Sequence, residues 1–204
     1  MRKIYVVGGY NDYANWMEGE ITTDMKEANL IVFCGGEDIH PSLYGEKQHP
    51  QTSCNLQRDL YELEIYEEAL QMGIPCFGTC RGIQLLSVFN KARLVQHQTS
   101  QPYKHLIHTF DGEDVIVTSS HHQAVFPFNL PETNYKILGW TENLSRYHED
   151  GNQQEMNPPV EVEAIYFPKT RCLGVQGHLE WQLEDDKTIK WGRTLLNKLL
   201  NEQL

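Results

Sequence analysis

The amino-acid sequence predicts an α/β fold built on a mostly parallel sheet. Three short apolar runs of strand length, at residues 4–7, 30–34 and 74–77, each stop at a glycine. One helical pattern lies between the second and third runs, and another follows the third. Strands that alternate with helices in this way form parallel sheets, whose active sites lie at the carboxyl ends of the strands.

The helices are predicted from apolar side chains at helical spacing. Residues 58–72 carry such a pattern among acidic residues, with Leu60, Leu63, Tyr66 and Leu70. Gly73 and Pro75 end this helix, and residues 81–90 form the next one. Residues 184–204 predict a C-terminal helix whose apolar stripe packs on the sheet, with Ile189, Leu195, Leu196, Leu199 and Leu200.

The second half of the chain is richer in strands. Four runs are strand-like: residues 115–118, 135–140, 160–167 and 172–176. Residues 141–159 are almost wholly polar, so they predict an exposed loop or an extended hairpin within the domain.

Bulk properties narrow the classes of function. A length of 204 residues fits a single domain that spans residues 1–204, with 40% hydrophobic and 22% charged residues. The net charge of -11, without a block of lysine or arginine, disfavours nucleic acid and anionic membrane surfaces as partners. No apolar run approaches the roughly 18 residues of a membrane span.

The cysteines and the N-terminus bear on location. The five cysteines are an odd number in a chain large enough to fold without disulfides, which indicates a reducing compartment. The apolar stretch after Arg2 and Lys3 is too short for a signal peptide and predicts the first strand instead. We therefore expect a cytoplasmic protein.

Cys80 stands at the apex of the turn between the third strand and its helix. Gly78 and Gly82 flank it at minus two and plus two. A nucleophile elbow needs this spacing, because a sharp strand-to-helix turn leaves no room for side chains beside the nucleophile. The helix N-terminus favours the thiolate, the reactive form. The alternative is a buried cysteine that happens to precede a helix.

His178 and Glu180 are the best candidates for the base and its partner. A cysteine hydrolase needs a base for the thiol proton and a third group to hold that base. Residues two apart in an extended segment point to the same face, so Glu180 would hold one ring nitrogen and leave the other for Cys80. On spacing alone, a surface histidine and glutamate near a strand end is the competing interpretation.

Five motifs resemble the class I glutamine amidotransferase-like hydrolases, and most closely the branch that contains the γ-glutamyl-γ-aminobutyrate hydrolases. They are GGEDIHPSLYGE at 35–46, RDLYE at 58–62, GTCRGIQ at 78–84, SSHHQAV at 119–125, and the closing strands at 162–165 and 173–181. The motifs follow the order of the family and span residues 31–181. Each motif is weak alone, but the set is specific.

The resemblance implies a three-layer, flavodoxin-like sandwich with a Cys80, His178 and Glu180 triad. Cys80 would attack the γ-carbonyl of a small γ-glutamyl amide, and His178 would accept the thiol proton and later protonate the leaving amine. Water would then hydrolyse the glutamyl thioester.

The resemblance also assigns the substrate-binding groups. Backbone N–H groups at Gly35, Gly36 and Arg81 would stabilise the oxyanion. Gln84 and the backbone of Ser120 and His121 would hold the glutamyl moiety. No metal or organic cofactor is implied, and the histidine pairs 105/108 and 121/122 lack a cysteine or carboxylate at a metal-ligand spacing.

Three functions stay open at this point. The leading interpretation is a free-standing γ-glutamyl hydrolase, whose leaving group is a polyamine, an aminobutyrate-like acid, a phosphoramidate or ammonia. The second is a glutaminase subunit that supplies ammonia to a separate synthetase. The third is a non-catalytic binding member, which the joint presence of Cys80, His178 and Glu180 disfavours.

The chain departs from the family pattern in two places. Gly177 and Leu179 replace an aromatic residue and a proline around the histidine, which we expect to widen the site or shift the strand end. The polar residues 11–16 stand where the family has a helix and a further strand. They predict a trimmed sheet edge, or a different substrate wall near Tyr13 and Trp16.

Overall fold

The computed structural model describes residues 2–9, 13–99, 102–142, 144–182 and 186–204. Within these ranges the α-helices are α1 (Tyr13–Met17), α2 (Leu56–Met72), α3 (Arg81–Phe89) and α4 (Lys187–Leu200). The strands are β1 (Arg2–Val7), β2 (Gly19–Ile21), β3 (Leu30–Phe33), β4 (Cys76–Thr79), β5 (Arg93–Val95), β6 (His97–Gln98), β7 (Lys104–Thr109), β8 (Val115–Thr118), β9 (Ala124–Phe126), β10 (Lys136–Thr141), β11 (His148–Glu149), β12 (Glu161–Phe167) and β13 (Cys172–Val175).

The central sheet has the order β2-β1-β3-β4-β13-β12-β10-β7-β8. The first five of these strands pair in parallel, and the last four continue the sheet in antiparallel fashion. Strand β9 joins β12 and β5, while β6 and β11 form a separate two-stranded ribbon. The predicted α/β class is confirmed, and four of the five parallel strands come from the first part of the chain.

Helices cover both faces of the sheet, which gives three layers. Alternate side chains of a strand point to opposite faces. Leu30 and Val32 accordingly face one core, with the buried side chains of α1 and α4. Ile31 and Phe33 face the other core, which α2 and α3 cover. Strands buried on both faces explain the continuous apolar runs of the sequence.

The predicted helices form with small shifts at their ends. Asn55 caps α2, since its side chain accepts a hydrogen bond from the Arg58 N–H, and Gly73 ends the helix in the left-handed region at φ 70°. Strand β4 begins at Cys76 instead of residue 74 and runs on through Thr79. Pairing with both neighbouring strands, β3 and β13, extends it to that point.

The segment 141–159 differs from the exposed loop that its polarity predicts. Ser145, His148 and Asp150 are buried. The Asp150 carboxylate accepts hydrogen bonds from the Asn152 and Gln154 N–H groups, so polar side chains here satisfy the backbone of their own turn. Strand β11 within this segment pairs with β6. Polar composition therefore marks an internally bonded, partly buried segment.

The N-terminal edge of the sheet keeps a short strand, so it is not trimmed away as one expectation had it. Helix α1 and the three-residue strand β2 occupy the segment after residue 12, and β2 pairs in parallel with β1. Residues 10–12 of the polar segment, and residues 184–185 at the start of the predicted C-terminal helix, lie outside the described residues. None of the helices that the structure describes is long and apolar enough to cross a membrane.

Candidate active site

Three neighbouring parallel strands bring the predicted site together. Strand β3 leads into Gly35, β4 leads into Cys80, and β13 leads through two residues into His178. Phe33 and Val175, at the ends of the flanking strands, lie in register with Gly78 and Thr79 of β4. The carboxyl ends of these strands therefore meet at one edge of the sheet, as expected for an open α/β fold.

Cys80 sits on a strained turn. Its backbone has φ 51° and ψ −109°, an unfavourable conformation for a residue with a side chain. A Cβ on Gly78 would overlap the backbone of Gly82, and a Cβ on Gly82 would overlap the carbonyl of Phe33. Both positions therefore require glycine. This is the steric requirement of a nucleophile elbow.

His178 lies between Cys80 and Glu180. Its Nδ1 is 2.7 Å from Glu180 Oε1, and its side chain also interacts with the Cys80 thiol. A Cβ placed on Gly35 would contact both the His178 ring and the Cys80 side chain, which locates the glycine loop against the pair. The structure thus brings together the three side chains that the sequence assigns to one site.

The proton affinity of His178 is unusually high. Burial lowers its pKa, but hydrogen bonding and charge interactions with Cys80 and Glu180 outweigh that effect and raise the pKa to about 9. The imidazole therefore keeps its proton through neutral pH. A protonated imidazole beside a cysteine can stabilise a thiolate and can protonate a leaving amine.

Two aromatic side chains complete the surroundings of His178. The Trp181 ring stacks on the imidazole at 3.6 Å between centroids and 6° between planes. The Tyr13 hydroxyl donates a hydrogen bond of 3.3 Å to Glu180 Oε1, the same oxygen that His178 contacts. Burial, and then the neighbouring Glu180 charge, raise the pKa of Tyr13, so the phenol stays a donor.

A cavity of about 570 Å³ opens onto this site. Eight of the nine sequence-predicted site residues line it: Gly35, Gly36, Cys80, Gln84, Ser120, His121, His178 and Glu180. The volume suits a small molecule. Tyr13, Trp181, Asp38 and His122 also line it. Of these four, the sequence analysis assigned only Tyr13 to a different substrate wall, together with Trp16.

The ninth residue, Arg81, turns its side chain away from the cavity. The guanidinium is buried and forms ion pairs with Asp59 and Glu62 of α2. Because Arg81 is the first residue of α3, its backbone N–H has no acceptor within the helix. The backbone, and not the side chain, is the part of Arg81 suited to the predicted oxyanion role.

Arg58 is a residue whose role the sequence analysis missed. Its guanidinium bonds to Glu37 at 2.5 Å and Glu62 at 2.9 Å, and donates to the Gly35 carbonyl at 3.2 Å. The C=O and N–H of a trans peptide point in opposite directions. With the Gly35 carbonyl held by Arg58, the Gly36 N–H of the same peptide points away from the arginine. The sequence signal for this role was the arginine that begins the second motif. That motif was used only to recognise the family resemblance.

The predicted glutamyl-binding groups are tied to one another. Gln84 donates through its amide nitrogen to the Gln123 carbonyl at 3.1 Å and to Gln176 at 3.4 Å. His121 Nδ1 lies 2.7 Å from the same carbonyl, and burial lowers the pKa of His121, so the neutral ring donates there. Ser120 Oγ lies 3.3 Å from His178 Nε2. These contacts hold together one part of the cavity lining.

The two departures around His178 have structural reasons. A Cβ on Gly177 would press on the Val117 side chain at 2.7 Å and the Thr118 carbonyl at 3.1 Å, so β8 leaves no room for an aromatic residue. Leu179 is fully buried and packs against Gly192 of α4, where a Cβ would lie 2.6 Å from the leucine. Both residues therefore pack against the hydrophobic core.

No group of three or more metal-ligating side chains in the described ranges is placed to hold an ion. The two histidines of the 105/108 pair each lie beside a different carboxylate. His105 Nε2 lies 3.3 Å from Glu163, and His108 Nδ1 lies 2.9 Å from Asp114. All five cysteines are described and none is in a disulfide.

Comparison with known families and sequences gives similarity over most of the chain. The Peptidase C26 family model matches residues 15–113. The glutamine amidotransferase-like protein YvdE of Lactococcus lactis is 34% identical over 184 residues, which cover 78% of this chain and 70% of that protein. A γ-glutamyl-γ-aminobutyrate hydrolase of Escherichia coli is 30% identical over 162 residues, which cover 71% of this chain and 60% of that enzyme.

Comparison with solved structures gives the same architecture. The glutaminase domain of Trypanosoma brucei CTPS, solved with bound acivicin, aligns with a TM-score of 0.61 and 14% sequence identity. The alignment covers 100% of this chain and 95% of that one. At this identity the likeness establishes the fold, a mostly parallel mixed sheet between helices.

Proposed function

Because the chain belongs to the glutamine amidotransferase-like family, to which the Peptidase C26 model also points, we propose that it is a cysteine hydrolase of γ-glutamyl amides. The substrate would be a small γ-glutamyl conjugate, and the products glutamate and an amine or amide. The similarity to a γ-glutamyl-γ-aminobutyrate hydrolase supports this substrate class.

The observation that carries the proposal is the position of His178. Its ring lies 2.7 Å from Glu180 and interacts electrostatically with Cys80, and all three residues line a cavity of small-molecule size. Glu180 orients the imidazole and stabilises its proton, which is the role of the third member of a triad. A nucleophile, a base and an orienting carboxylate have no comparable use in a purely structural site.

The reaction follows from these groups. As the Cys80 thiol gives its proton to His178, the sulfur attacks the γ-carbonyl to form the C–S bond. The C–N bond breaks as His178 transfers its proton to the leaving nitrogen. Water then attacks the thioester and gives a proton to His178, the C–S bond breaks, and glutamate leaves with the thiolate restored.

The oxyanion of each tetrahedral intermediate needs donors. The Gly36 N–H, turned away from Arg58, and the Arg81 N–H, at the first position of α3, are the two groups suited to it. Each such donor contributes about 3–4 kcal/mol to transition-state stabilisation in comparable sites.

Turnover by the isolated protein tests the proposal. We expect release of glutamate from γ-glutamyl amides, and loss of that release in Cys80→Ala with an unchanged circular dichroism spectrum. The matched control is Cys54→Ser, a cysteine that does not line the cavity, and it should retain activity. Substantial turnover by Cys80→Ala would contradict the mechanism.

The same assay separates the other functions. Glutamine turnover that appears only with a second protein would instead identify a glutaminase subunit that serves a synthetase. No turnover of either substrate class, with Cys80 unlabelled by glutamine-mimicking electrophiles, would identify a non-catalytic binding member. Ready hydrolysis of γ-glutamyl amines but not of glutamine supports the proposed function.

A further inference from the structure

We propose that Asp38 binds the α-ammonium group of the γ-glutamyl moiety and thereby selects glutamyl over other acyl groups. This inference rests on the proposed function, since it concerns how the same cavity recognises its substrate. It adds a specificity-determining residue outside the nucleophile, base and oxyanion groups described above.

Asp38 is placed at the right distance from the reacting carbonyl. It lines the cavity and lies two residues after Gly36, so their Cα atoms are at most about 7 Å apart. In a γ-glutamyl group, four bonds separate the γ-carbonyl carbon from the α-nitrogen. With the carbonyl oxygen at the Gly36 N–H, the α-nitrogen reaches the region of Asp38.

The carboxylate of Asp38 is held by one oxygen only. Oδ2 accepts a hydrogen bond of 2.9 Å from the Ser53 N–H and lies 3.1 Å from His122 Nε2. No hydrogen bond from any described residue reaches Oδ1. Because both contacts fall on Oδ2, Oδ1 keeps its capacity to accept a hydrogen bond from a ligand in the cavity that Asp38 lines.

A chain of side chains behind Asp38 orients it. A carboxylate only accepts hydrogen bonds, so His122 Nε2 carries the proton that it donates to Oδ2. His122 Nδ1 lies 3.2 Å from His97 Nδ1, and His97 Nε2 lies 3.0 Å from the Tyr147 hydroxyl. At the Nδ1 contact one ring donates and the other accepts. Burial and the nearby His122 and His49 lower the pKa of His97.

The charges of the cavity favour an ammonium at this position. No lysine or arginine stands among the described residues that line the cavity. Of its two carboxylates, Glu180 is bonded to His178 and Tyr13 through Oε1. Asp38 is the other, and a γ-glutamyl group supplies the cation that would pair with it. Hydrogen bonds between charged partners are the stronger ones and give geometric selectivity.

Two substrates that differ by one group test the inference. The γ-glutamyl and glutaryl amides of the same amine differ only in the α-amino group. We expect the unchanged protein to cleave the γ-glutamyl amide with a kcat/KM about 10- to 100-fold higher. Asp38→Asn should lose most of this preference by lowering kcat/KM for the γ-glutamyl amide, while its glutaryl amide hydrolysis stays near the original rate.

The controls separate the inference from the proposed function. Asp114→Asn removes a half-exposed carboxylate outside the cavity and should leave both rates unchanged. Equal cleavage of both amides by the unchanged protein, or an intact preference in Asp38→Asn, would overturn the role of Asp38 alone. A loss of both rates in a folded Asp38→Asn would also overturn it, in favour of a structural role. If Asp38→Asn does not fold, the test rests on the ratio of the kcat/KM values that the unchanged protein shows for the two amides. Failure to cleave either amide would overturn the proposed function itself.

Discussion

His178 is the residue on which the proposed chemistry depends, because its ring joins the nucleophile to the carboxylate. The pKa of about 9 keeps its proton in place at neutral pH. That folded-state pKa lies above the ordinary value of 6.5, so protonation of His178 stabilises the folded protein fully below pH 6.5. The contribution is lost as the pH rises through about 9.

The pH dependence of activity should report this residue. We expect kcat/KM to fall as the pH rises past about 9, because the neutral imidazole can no longer protonate the leaving amine. Glu180→Gln removes the negative charge that holds the proton, so the alkaline limb should move down by about 1 pH unit or more. Steady-state kinetics between neutral and alkaline pH locate the alkaline limb in the unchanged protein and in Glu180→Gln.

A surface glutamate provides the control for Glu180→Gln. Glu113 pairs with Lys187 and is largely exposed, so Glu113→Gln should leave the alkaline limb where it is. An alkaline limb that stays in place in Glu180→Gln would mean that this carboxylate does not set the proton affinity of His178.

At the scale of single residues, the sequence predicts the side chains of the proposed triad better than the side chains that contact them. Cys80 is marked by its flanking glycines, and His178 and Glu180 by their spacing in one extended segment. Tyr13 and Trp181 carry no such local signal. Tyr13 reaches Glu180 across 167 positions of the chain, and Trp181 is an exposed aromatic residue whose contact with the imidazole appears only in three dimensions.

Helix α2 supports the site through its first turn. Arg58 ties the Gly35 carbonyl to Glu37 and Glu62, and Glu62 also pairs with Arg81 at the start of α3. The glycine loop and the helix behind Cys80 are thus connected through one partly buried ionic network. We expect this network to position the oxyanion donors without touching the substrate.

Replacement of Arg58 tests that positioning role. Arg58→Lys keeps a positive charge for Glu62 but loses the planar fork that reaches Gly35. An oxyanion donor acts mainly in the transition state, so we expect kcat to fall about 10- to 100-fold with little change in KM. Arg171→Lys, at a surface arginine away from the cavity, is the control and should be neutral. A rise in KM at constant kcat would contradict the role.

A second prediction at the scale of elements concerns the nucleophile elbow around Cys80. Gly82→Ala would force a methyl group into the Phe33 carbonyl, where β3 and α3 meet. We expect a loss of several kcal/mol of unfolding free energy, beyond the ordinary range of about 0.5–3 kcal/mol for single substitutions. Denaturant unfolding measures it.

Gly45→Ala is the comparison for Gly82→Ala. Gly45 has φ 73° but no atom within 4 Å of an added Cβ, so this variant carries only the backbone penalty of about 1 kcal/mol. Equal stabilities of the two variants would show that the close approach at Gly82 does not constrain the turn.

Helices and strands differ in how much of them the sequence predicts. The long periodic patterns of α2 and α4 and the continuous apolar runs of β1 and β3 predict those elements to within a few residues. Strands β5, β6, β9 and β11 are two or three residues long, and pairing with distant partners defines them. A window of two or three residues has no periodicity, so sequence alone does not mark such strands.

On the scale of the whole molecule, the sheet assembles a site from residues far apart in the chain. Nearly a hundred positions separate Cys80 from His178, yet β4 and β13 are neighbouring parallel strands that end side by side. Five motifs in family order predict this arrangement, because they identify the topology before any contact is known. The same motifs leave open which residues face the leaving group.

The most direct test of the account is detection of a glutamyl group on Cys80. The protein is mixed with a γ-glutamyl amide, quenched in acid during turnover, digested and analysed by mass spectrometry. We predict one glutamyl adduct on the peptide that carries Cys80, absent in Cys80→Ser treated in the same way. Steady glutamate release without any adduct, or an adduct on another residue, would contradict the central claim that Cys80 is the nucleophile.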